Sequence, residues 1–365
     1  MRRRLRAAFL AVALCAAAGT AVRAQQGCTT PPSMLARMAA AAPDASAFED
    51  LGIALAGEKQ YACAAMAFAN SLRLKPDSAN VLFMLGTSLF FSGHAPEAVG
   101  PLQASEAIES RNLKLHLILA SVLDQLHRGP EAKAEWQAAV ETDPLSPEAV
   151  DGLAQELVLD QEYQAAIDLL TRQESARQRT SQQSLNLGIA YAALGETDAA
   201  VDVLRDGLNT TPDSLSMAGE LADVLAQAGR IDEADSVFTL ALERHPGDLD
   251  TELHRFRMLL AVDPARATTA GRDLLRTAPQ NWEVLYLNGV LETQSGDLAQ
   301  ARAHLEASIA VNDGFALAHS LLGVVLARLR DYAGAKQQFE RAIALGDTSQ
   351  ETQDNLAWVT QALQP

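Results

Sequence analysis

A 34-residue period of small residues is the sequence feature that most constrains the fold. The small residues recur through six periods, at Gly52, Gly86, Ala120, Ala154, Gly188 and Ala222. An alanine follows each of them after twelve residues and a large apolar residue after sixteen, as Ala64 and Phe68 do in the first period. A fixed period of this length is the signature of repeat architectures, in which stacked units share a continuous core. The sequence therefore predicts one repeat array, although a length of 365 residues alone would suggest two or three globular domains.

Each period divides into two amphipathic halves. Apolar residues recur at spacings of three and four, which predicts two helices of about three turns per period. Glycines fall between the halves of several periods, at Gly93, Gly195, Gly229 and Gly296. Glycine favours the left-handed residue that ends a helix, and a proline such as Pro76 or Pro212 cannot continue the second one. The predicted class is all-α.

The period continues beyond the sixth unit with one interruption. Pro279 arrives one residue early, so the seventh unit is short and carries Gly271 where a large residue is expected. The register resumes with Gly289 and Gly323. We expect about nine units over residues 45–348, a capping helix in 349–365, and an N-terminal segment at 25–44 with its own capping helix.

These residues resemble the tetratricopeptide repeat. Its Leu-Gly pair matches Leu51-Gly52, Leu85-Gly86 and Leu322-Gly323, and its second-helix aromatic and alanine match Tyr61 and Ala64. The resemblance implies a right-handed superhelical solenoid whose first helices line a concave groove. The groove candidates at the matching positions are Asn80, Phe83, Thr87, Phe90, Phe91, Lys114, Leu117, Asp124, Gln125, Glu148, Asp151, Gln155, Asp223, Arg257 and Tyr286.

Four of these candidates are apolar and belong to adjacent repeats. Phe83, Phe90, Phe91 and Leu117 could form one exposed patch that takes a peptide anchor. They could equally pack beneath the N-terminal segment or within the solenoid. The sequence leaves both interpretations open.

The amino terminus has the order of a secretory signal peptide. Four arginines within the first six residues precede an apolar run over residues 7–18, and Val22-Arg23-Ala24 follows. We expect residues 1–24 to be removed by cleavage after Ala24, which predicts a periplasmic or secreted protein without a membrane span in its mature form. The run is shorter than the roughly 20 residues that cross a bilayer, so an uncleaved anchor is the less favoured alternative.

Two cysteines remain after this cleavage, Cys28 and Cys63. An even pair in an oxidising compartment predicts one disulfide that ties the N-terminal segment to the first repeat. Lipidation of Cys28 is the weaker alternative, because no aliphatic residue precedes it at the expected distance.

The charge balance excludes one class of partner. The formal net charge is −17, and removal of residues 1–24, which hold five arginines and no acid, takes it to −22. Such a protein repels nucleic acid. The acidity either keeps a long solenoid soluble or attracts a basic partner.

No pattern of catalytic residues stands out. Phosphate loops, nucleotide fingerprints, Cys-x-x-Cys and His-Glu-x-x-His are absent, and the seven histidines show no metal-ligand spacing. We therefore expect no cofactor, no metal and no enzyme activity.

The leading hypothesis is a protein–protein interaction scaffold that binds a protein or peptide segment in its groove, for example in envelope or secretion-complex assembly. The alternatives are a carrier or sensor of a small ligand such as an oligosaccharide, and an accessory subunit of an enzyme.

Overall fold

A computed structural model describes Cys28, residues 44–172 and residues 179–364. These parts contain helices and no strand, so the predicted all-α repeat fold is confirmed. The predicted signal peptide at 1–24 and the capping helix expected within 31–42 lie outside the described residues. The helices are α1 Ala45–Gly57, α2 Tyr61–Leu74, α3 Ala79–Phe91, α4 Ala95–Ile108, α5 Leu113–Gln125, α6 Gly129–Thr142, α7 Pro147–Leu159, α8 Tyr163–Arg172, α9 Ser181–Ala193, α10 Thr197–Thr210, α11 Leu215–Gln227, α12 Ile231–Arg244, α13 Leu249–Val262, α14 Pro264–Thr277, α15 Trp282–Ser295, α16 Leu298–Val311, α17 Ala316–Arg328, α18 Tyr332–Ala344 and α19 Gln350–Ala362.

The chain forms two compact units, of which the first ends at Glu196 and the second begins at Thr197. Within each unit, helices that are consecutive in sequence pack against one another. Each repeat consists of an odd-numbered first helix and the even-numbered second helix after it, and α19 follows the ninth pair. None of the helices in the described ranges is long and apolar enough to cross a bilayer.

Polar residues start the helices where the sequence offers a cap. The Ser78 hydroxyl accepts a hydrogen bond from the Val81 amide at the start of α3, and Ser214 does the same for Met217 at the start of α11. Each serine satisfies one of the amide groups that a helix N-terminus leaves without a partner. Both belong to the Pro-Asp-Ser sequence that follows a second helix.

The turn between the two helices of a repeat uses one left-handed residue. Gly93, Gly195, Gly229 and Gly296 have φ between 75° and 89°, as their sequence positions predict. The other repeats with this turn place a side chain at the same position, at Lys59, His127, Gln161 and Arg330. The turn geometry is therefore a property of the repeat and does not depend on glycine.

Close approach of the two helices explains the small residue of the period. A Cβ atom on Gly52 would lie 2.5 Å from the Phe68 ring, and one on Gly323 would lie 2.7 Å from the Phe339 ring. Phe68 and Phe339 are almost completely buried. Each first helix thus provides a gap that a large side chain of the second helix fills.

The seventh repeat reverses this arrangement. Phe256 occupies the small-residue position of α13 and is completely buried, while Gly271 occupies the large-residue position of α14. A Cβ on Gly271 would lie 2.8 Å from Cζ of Phe256. The missing residue shortens the interhelical turn to Asp263, which ends α13 and accepts a hydrogen bond from the Arg266 amide of α14. The sequence showed that the large residue was lost from α14, and the structure shows that Phe256 replaces its volume.

The last helix covers the end of the second unit. Val359 of α19 is completely buried in a cluster with Phe339, and Leu356 packs against that cluster. Trp358 is 54% exposed and makes an edge contact with Tyr332, with ring centroids 5.5 Å apart. At the other end of the described chain, a disulfide joins Cys28 to Cys63 of α2, and their Cα atoms are 5.0 Å apart.

Candidate functional site

The groove candidates of the first unit lie on α3, α5 and α7 at equivalent repeat positions. They divide by burial into an exposed and a half-buried group. The exposed residues are Asn80, Phe91, Lys114, Gln125, Glu148 and Gln155. The half-buried residues are Phe83, Thr87, Phe90, Leu117, Asp124 and Asp151. We call the surface formed by the exposed group the first-helix face.

Phe91 is the most exposed ring of an aromatic cluster on this face. Its side chain lies at the end of α3 and is 53% exposed. Its ring centroid is 5.3 Å from that of Tyr61 and 5.4 Å from that of Phe90. Tyr61 begins the second helix of the preceding repeat, so the cluster spans two repeats. Tyr61 holds the Phe91 ring in place while leaving half of it open to solvent.

Polar side chains connect consecutive first helices along the same surface. The Asn80 amide donates to the Glu49 carboxylate across α3 and α1 at 3.3 Å. The Thr180 hydroxyl, at the start of α9, donates to Asp151 of α7 at 3.1 Å. Burial raises the pKa of Asp151, and the hydrogen bonds from Gln183 and Thr180 oppose this effect. Part of the predicted binding surface is therefore engaged in contacts between repeats.

Asp124 differs from the other candidates because it contacts its own repeat. The Trp136 indole N–H donates to its Oδ2 at 2.9 Å, and its buried Oδ1 has no hydrogen-bond partner within the described part of the chain. Burial raises the pKa of Asp124. The neighbouring Glu156 of α7 is buried, and its pKa is raised by burial and by the negative charges of Asp124 and Asp160. These two carboxylates form an acidic pair between the third and fourth repeats.

The second unit holds three candidates that are also in contact with the next repeat. Asp223 accepts a hydrogen bond from Nε2 of His254 at 2.9 Å, and the Arg257 guanidinium donates to Glu283 at 2.7 Å. Tyr286 is half-buried and meets the Phe315 ring edge-on at a centroid distance of 4.9 Å. Burial raises the pKa of Tyr286. Polar contacts between consecutive first helices are thus common to both units.

Several residues that contact the groove candidates, or extend their surface, were not predicted from the sequence. Glu49, Thr180 and His254 pair with candidates, but their partners are 29 to 31 residues away in sequence. Leu159, at the end of α7, is 66% exposed and lies two periods after Phe91. The repeat register could have identified Leu159, because it occupies the same position as Phe91 in its own repeat. The pairings had no such signal.

An open cleft lies at the end of the second unit, between α17, α18 and α19. Its lining residues are Val324, Ala327, Arg328, Phe339, Asn355, Trp358 and Val359. The Arg328 guanidinium donates to the Thr293 carbonyl at 2.8 Å, which fixes it at the edge of the cleft. The cleft combines one exposed ring with one cation and contains no nucleophile.

Two segments of the repeat array match a known protein family. Residues 185–248 and 286–349 match a family model described as a tetratricopeptide repeat. The chain contains tetratricopeptide repeats. The second matched segment covers two repeats in which a first-helix glycine packs against the large residue of the second helix, Gly289 against Leu305 and Gly323 against Phe339. Comparison with curated protein sequences gives no match.

Three solved structures resemble the chain at low sequence identity, and two of them are described as tetratricopeptide repeat proteins. One from Parabacteroides merdae is 13% identical, with 77% of this chain and 98% of that chain covered and a TM-score of 0.47. The Cut9-Hcn1 structure is 15% identical, with coverage of 88% and 70% and a TM-score of 0.43. YrrB, whose structure is described as having an unusual peptide-binding site, is 18% identical, with coverage of 51% and 97% and a TM-score of 0.41.

The tetratricopeptide repeat fold indicates a protein–protein interaction scaffold. Stacked repeats present extended surfaces on which equivalent positions recur at regular intervals. In the first unit those positions carry one exposed aromatic ring, one exposed acid, one exposed lysine and exposed amides, and polar pairs connect consecutive first helices.

Proposed function

We propose that this protein is an exported scaffold that binds a basic segment of a partner protein along the first-helix face of residues 79–159. The observation that carries the proposal is the exposed Phe91 ring, supported by Tyr61 and followed along the same face by the exposed acid Glu148. A half-exposed aromatic ring on a rigid helix is a suitable anchor for a partner side chain.

The charge of the whole chain favours a basic partner, since the first-helix face itself exposes one cation, Lys114, and one acid, Glu148. Glu148 is exposed, and Asp151 adds a half-buried carboxylate one turn away on the same helix. The whole chain is strongly acidic, with 46 acidic and 29 basic residues. Opposite charge accelerates encounter and selects among partners, and this contribution weakens as salt rises.

Export is part of the proposal. It is supported by the order of the first 24 residues and by the Cys28–Cys63 disulfide, which is the form that cysteine pairs adopt in oxidising compartments. Cell fractionation followed by sequencing of the mature amino terminus tests it. We expect the protein outside the cytoplasm with Gln25 as its first residue, and a cytoplasmic protein that retains residues 1–24 would contradict export.

Binding is tested with an array of immobilised peptides that differ in charge and in the presence of one large apolar residue. We expect the protein to bind peptides that combine basic residues with an apolar anchor, and to bind them more weakly as salt increases. Phe91→Ala should reduce the affinity about tenfold or more, because truncation of a central anchor costs at least about 1.4 kcal/mol.

A matched control shows whether binding depends on the first-helix face or on any exposed apolar side chain. Ile108 ends the second helix α4 of the same repeat and is 47% exposed. Ile108→Ala should leave peptide binding unchanged. Peptide binding that is insensitive to Phe91→Ala and to Glu148→Lys would place the interaction elsewhere on the protein, and a preference for acidic peptides would overturn the choice of a basic partner.

A further inference from the structure

Three potential metal ligands meet at the junction of the second and third repeats. Glu106 comes from α4, His116 from α5 and Glu135 from α6. One ligand atom of each residue lies within 4.8 Å of the ligand atoms of the other two. The residues are 10 and 19 positions apart in sequence, so no short motif reveals them. All three belong to the first compact unit.

The surroundings of His116 fix the roles of its two ring nitrogens. The side chain is buried, and its Nε2 lies 2.9 Å from the Ser110 carbonyl oxygen. A carbonyl oxygen only accepts, so Nε2 must carry a hydrogen and donate it. This is the bond that most metal-binding histidines make with their second nitrogen, and it leaves Nδ1 as the ligand atom.

The other side of the ring brings two acceptors together. Nδ1 of His116 lies 2.7 Å from Oε2 of Glu135. In the neutral ring with Nε2 protonated, Nδ1 holds a lone pair that faces an oxygen lone pair. A proton on either group can bridge the two atoms, and a metal ion that binds both lone pairs can replace that proton.

Glu106 adds a carboxylate that the protein does not otherwise neutralise. No hydrogen-bond donor among the described residues reaches its side chain, and it is half-buried. Its pKa is raised by burial and by the charge of Glu135, and His116 opposes this effect. Two carboxylates therefore share a single histidine in a partly dehydrated site.

The ninth repeat contains the same histidine without the carboxylates. His319 occupies the position of His116, its Nε2 lies 3.1 Å from the Asp313 carbonyl, and its Nδ1 lies 2.7 Å from Oε1 of Gln338. Gln338 of the ninth repeat stands where the third repeat has Glu135, and Ile309 of the eighth repeat stands where the second repeat has Glu106. The buried histidine and its backbone bond therefore belong to the repeat architecture. The two carboxylates are an addition at the junction of the second and third repeats.

We propose that Glu106, His116 and Glu135 form a binding site for one divalent transition-metal ion, with zinc as the best match. One imidazole nitrogen and two carboxylate oxygens are a ligand set that zinc accepts, with water in the fourth position. Ligands about 2.0–2.2 Å from zinc in a tetrahedral arrangement are roughly 3.3 Å apart, so Glu135 needs to withdraw from His116 by only about 0.6 Å. Glu135 is partly exposed at its side chain, which leaves a path for the ion.

The test is a calorimetric titration of the purified, chelator-treated protein with Zn²⁺, without reductant so that the Cys28–Cys63 disulfide stays intact. We expect one bound Zn²⁺ per chain. Glu106→Ile combined with Glu135→Gln copies the ninth repeat and should weaken binding at least 100-fold while keeping the protein folded. His116→Gln should have a similar effect on affinity. His319→Gln changes the equivalent residue of the ninth repeat and should leave Zn²⁺ binding unchanged.

A variant that creates a second site tests the proposal in a way that unfolding of the protein cannot imitate. Ile309→Glu with Gln338→Glu introduces both carboxylates beside His319 and should raise the stoichiometry to two Zn²⁺ ions per chain. Absence of Zn²⁺ binding to the unaltered protein, or binding that survives the Glu106→Ile and Glu135→Gln changes, would overturn the proposal. If the unaltered protein binds no Zn²⁺, a proton shared between Nδ1 of His116 and Oε2 of Glu135 accounts for their short distance.

Discussion

Phe256 and Gly271 exchange the places that a small and a large residue hold in other repeats. The space that a Cβ on Gly271 would occupy lies 2.8 Å from the Phe256 ring and 2.5 Å from Oδ1 of Asn288. The volume between the two helices is conserved although the residue that fills it comes from the opposite helix. The core therefore constrains the combined size of the pair more than the position of either member.

This relationship predicts that Gly271→Ala destabilises the protein by about 1–3 kcal/mol, because the added methyl group must displace a ring or a buried amide. Urea denaturation measures the effect. Gly57→Ala in α1 is the matched control, since a Cβ there meets no atom of residues 44–172 or 179–364 within 4 Å. We expect the control to stabilise α1 by up to about 1 kcal/mol through helix propensity. A Gly271→Ala protein as stable as the original would show that the gap is not tightly packed.

A double change tests the exchange itself. Phe256→Gly alone should cost about 4 kcal/mol, because it leaves a cavity in a fully buried site. Adding Gly271→Phe restores the arrangement of the other repeats and should recover part of that loss. A favourable interaction energy in the double-mutant cycle is expected, and strictly additive effects would contradict the proposed compensation.

The left-handed turn residues predict an opposite pair of stability effects. Gln161 has φ of 62° and Gly195 has φ of 78° at the same position of consecutive repeats. Gln161→Gly should stabilise the protein by about 1 kcal/mol, because it removes the steric cost of a side chain in this conformation. Gly195→Gln should destabilise it by a similar amount. Thermal unfolding of both variants checks the prediction. Melting temperatures that shift equally and in the same direction would refute it.

Replacement of the buried Glu156 should increase the free energy of unfolding by an amount that depends on pH. Burial and the charges of Asp124 and Asp160 raise its pKa in the folded protein. The folded state therefore favours the protonated carboxyl, and this contribution is present below the unfolded pKa of about 4.3 and is lost as pH rises through the folded pKa. Glu156→Gln should stabilise the protein by about 1 kcal/mol near pH 7, and the difference should vanish near pH 4.

Urea denaturation of the original protein and of Glu156→Gln across this pH range measures the difference. Glu148→Gln, at the exposed start of the same helix, controls for the change in net charge. A gain from Glu156→Gln that is constant between pH 4 and pH 7 would exclude titration of Glu156 as its cause.

The disulfide predicts a local effect of reduction. Cys28 and Cys63 are 35 residues apart in sequence, and closing a loop of this length constrains the unfolded chain by about 3–4 kcal/mol. Reduction should increase hydrogen exchange in α1 and α2, while α5 keeps its protection because a repeat array can open from one end. The Cys28→Ser protein should show the increased exchange without reductant and no further change on its addition. Equal protection of α1 in both redox states would contradict this stabilising role.

The sequence by itself determined the repeats, because the information for them is local. A small residue, an alanine and a large residue at fixed spacing specify two amphipathic helices, and the turn between them requires one residue with positive φ. These constraints act within a single 34-residue unit, and their repetition makes them easy to recognise. The number of helix pairs and the short turn of the seventh repeat therefore follow from the order of residues.

Only the tertiary structure decided which side chains meet across repeats. Asn80 reaches Glu49, Asp124 turns toward Trp136, and Glu106 joins His116 and Glu135 because packed helices bring these residues together at particular angles. Helical periodicity places a residue on a face but does not fix how far that face lies from the next helix. That distance depends on the volumes of all the buried side chains between them, so the contacts appear only once the repeats are stacked.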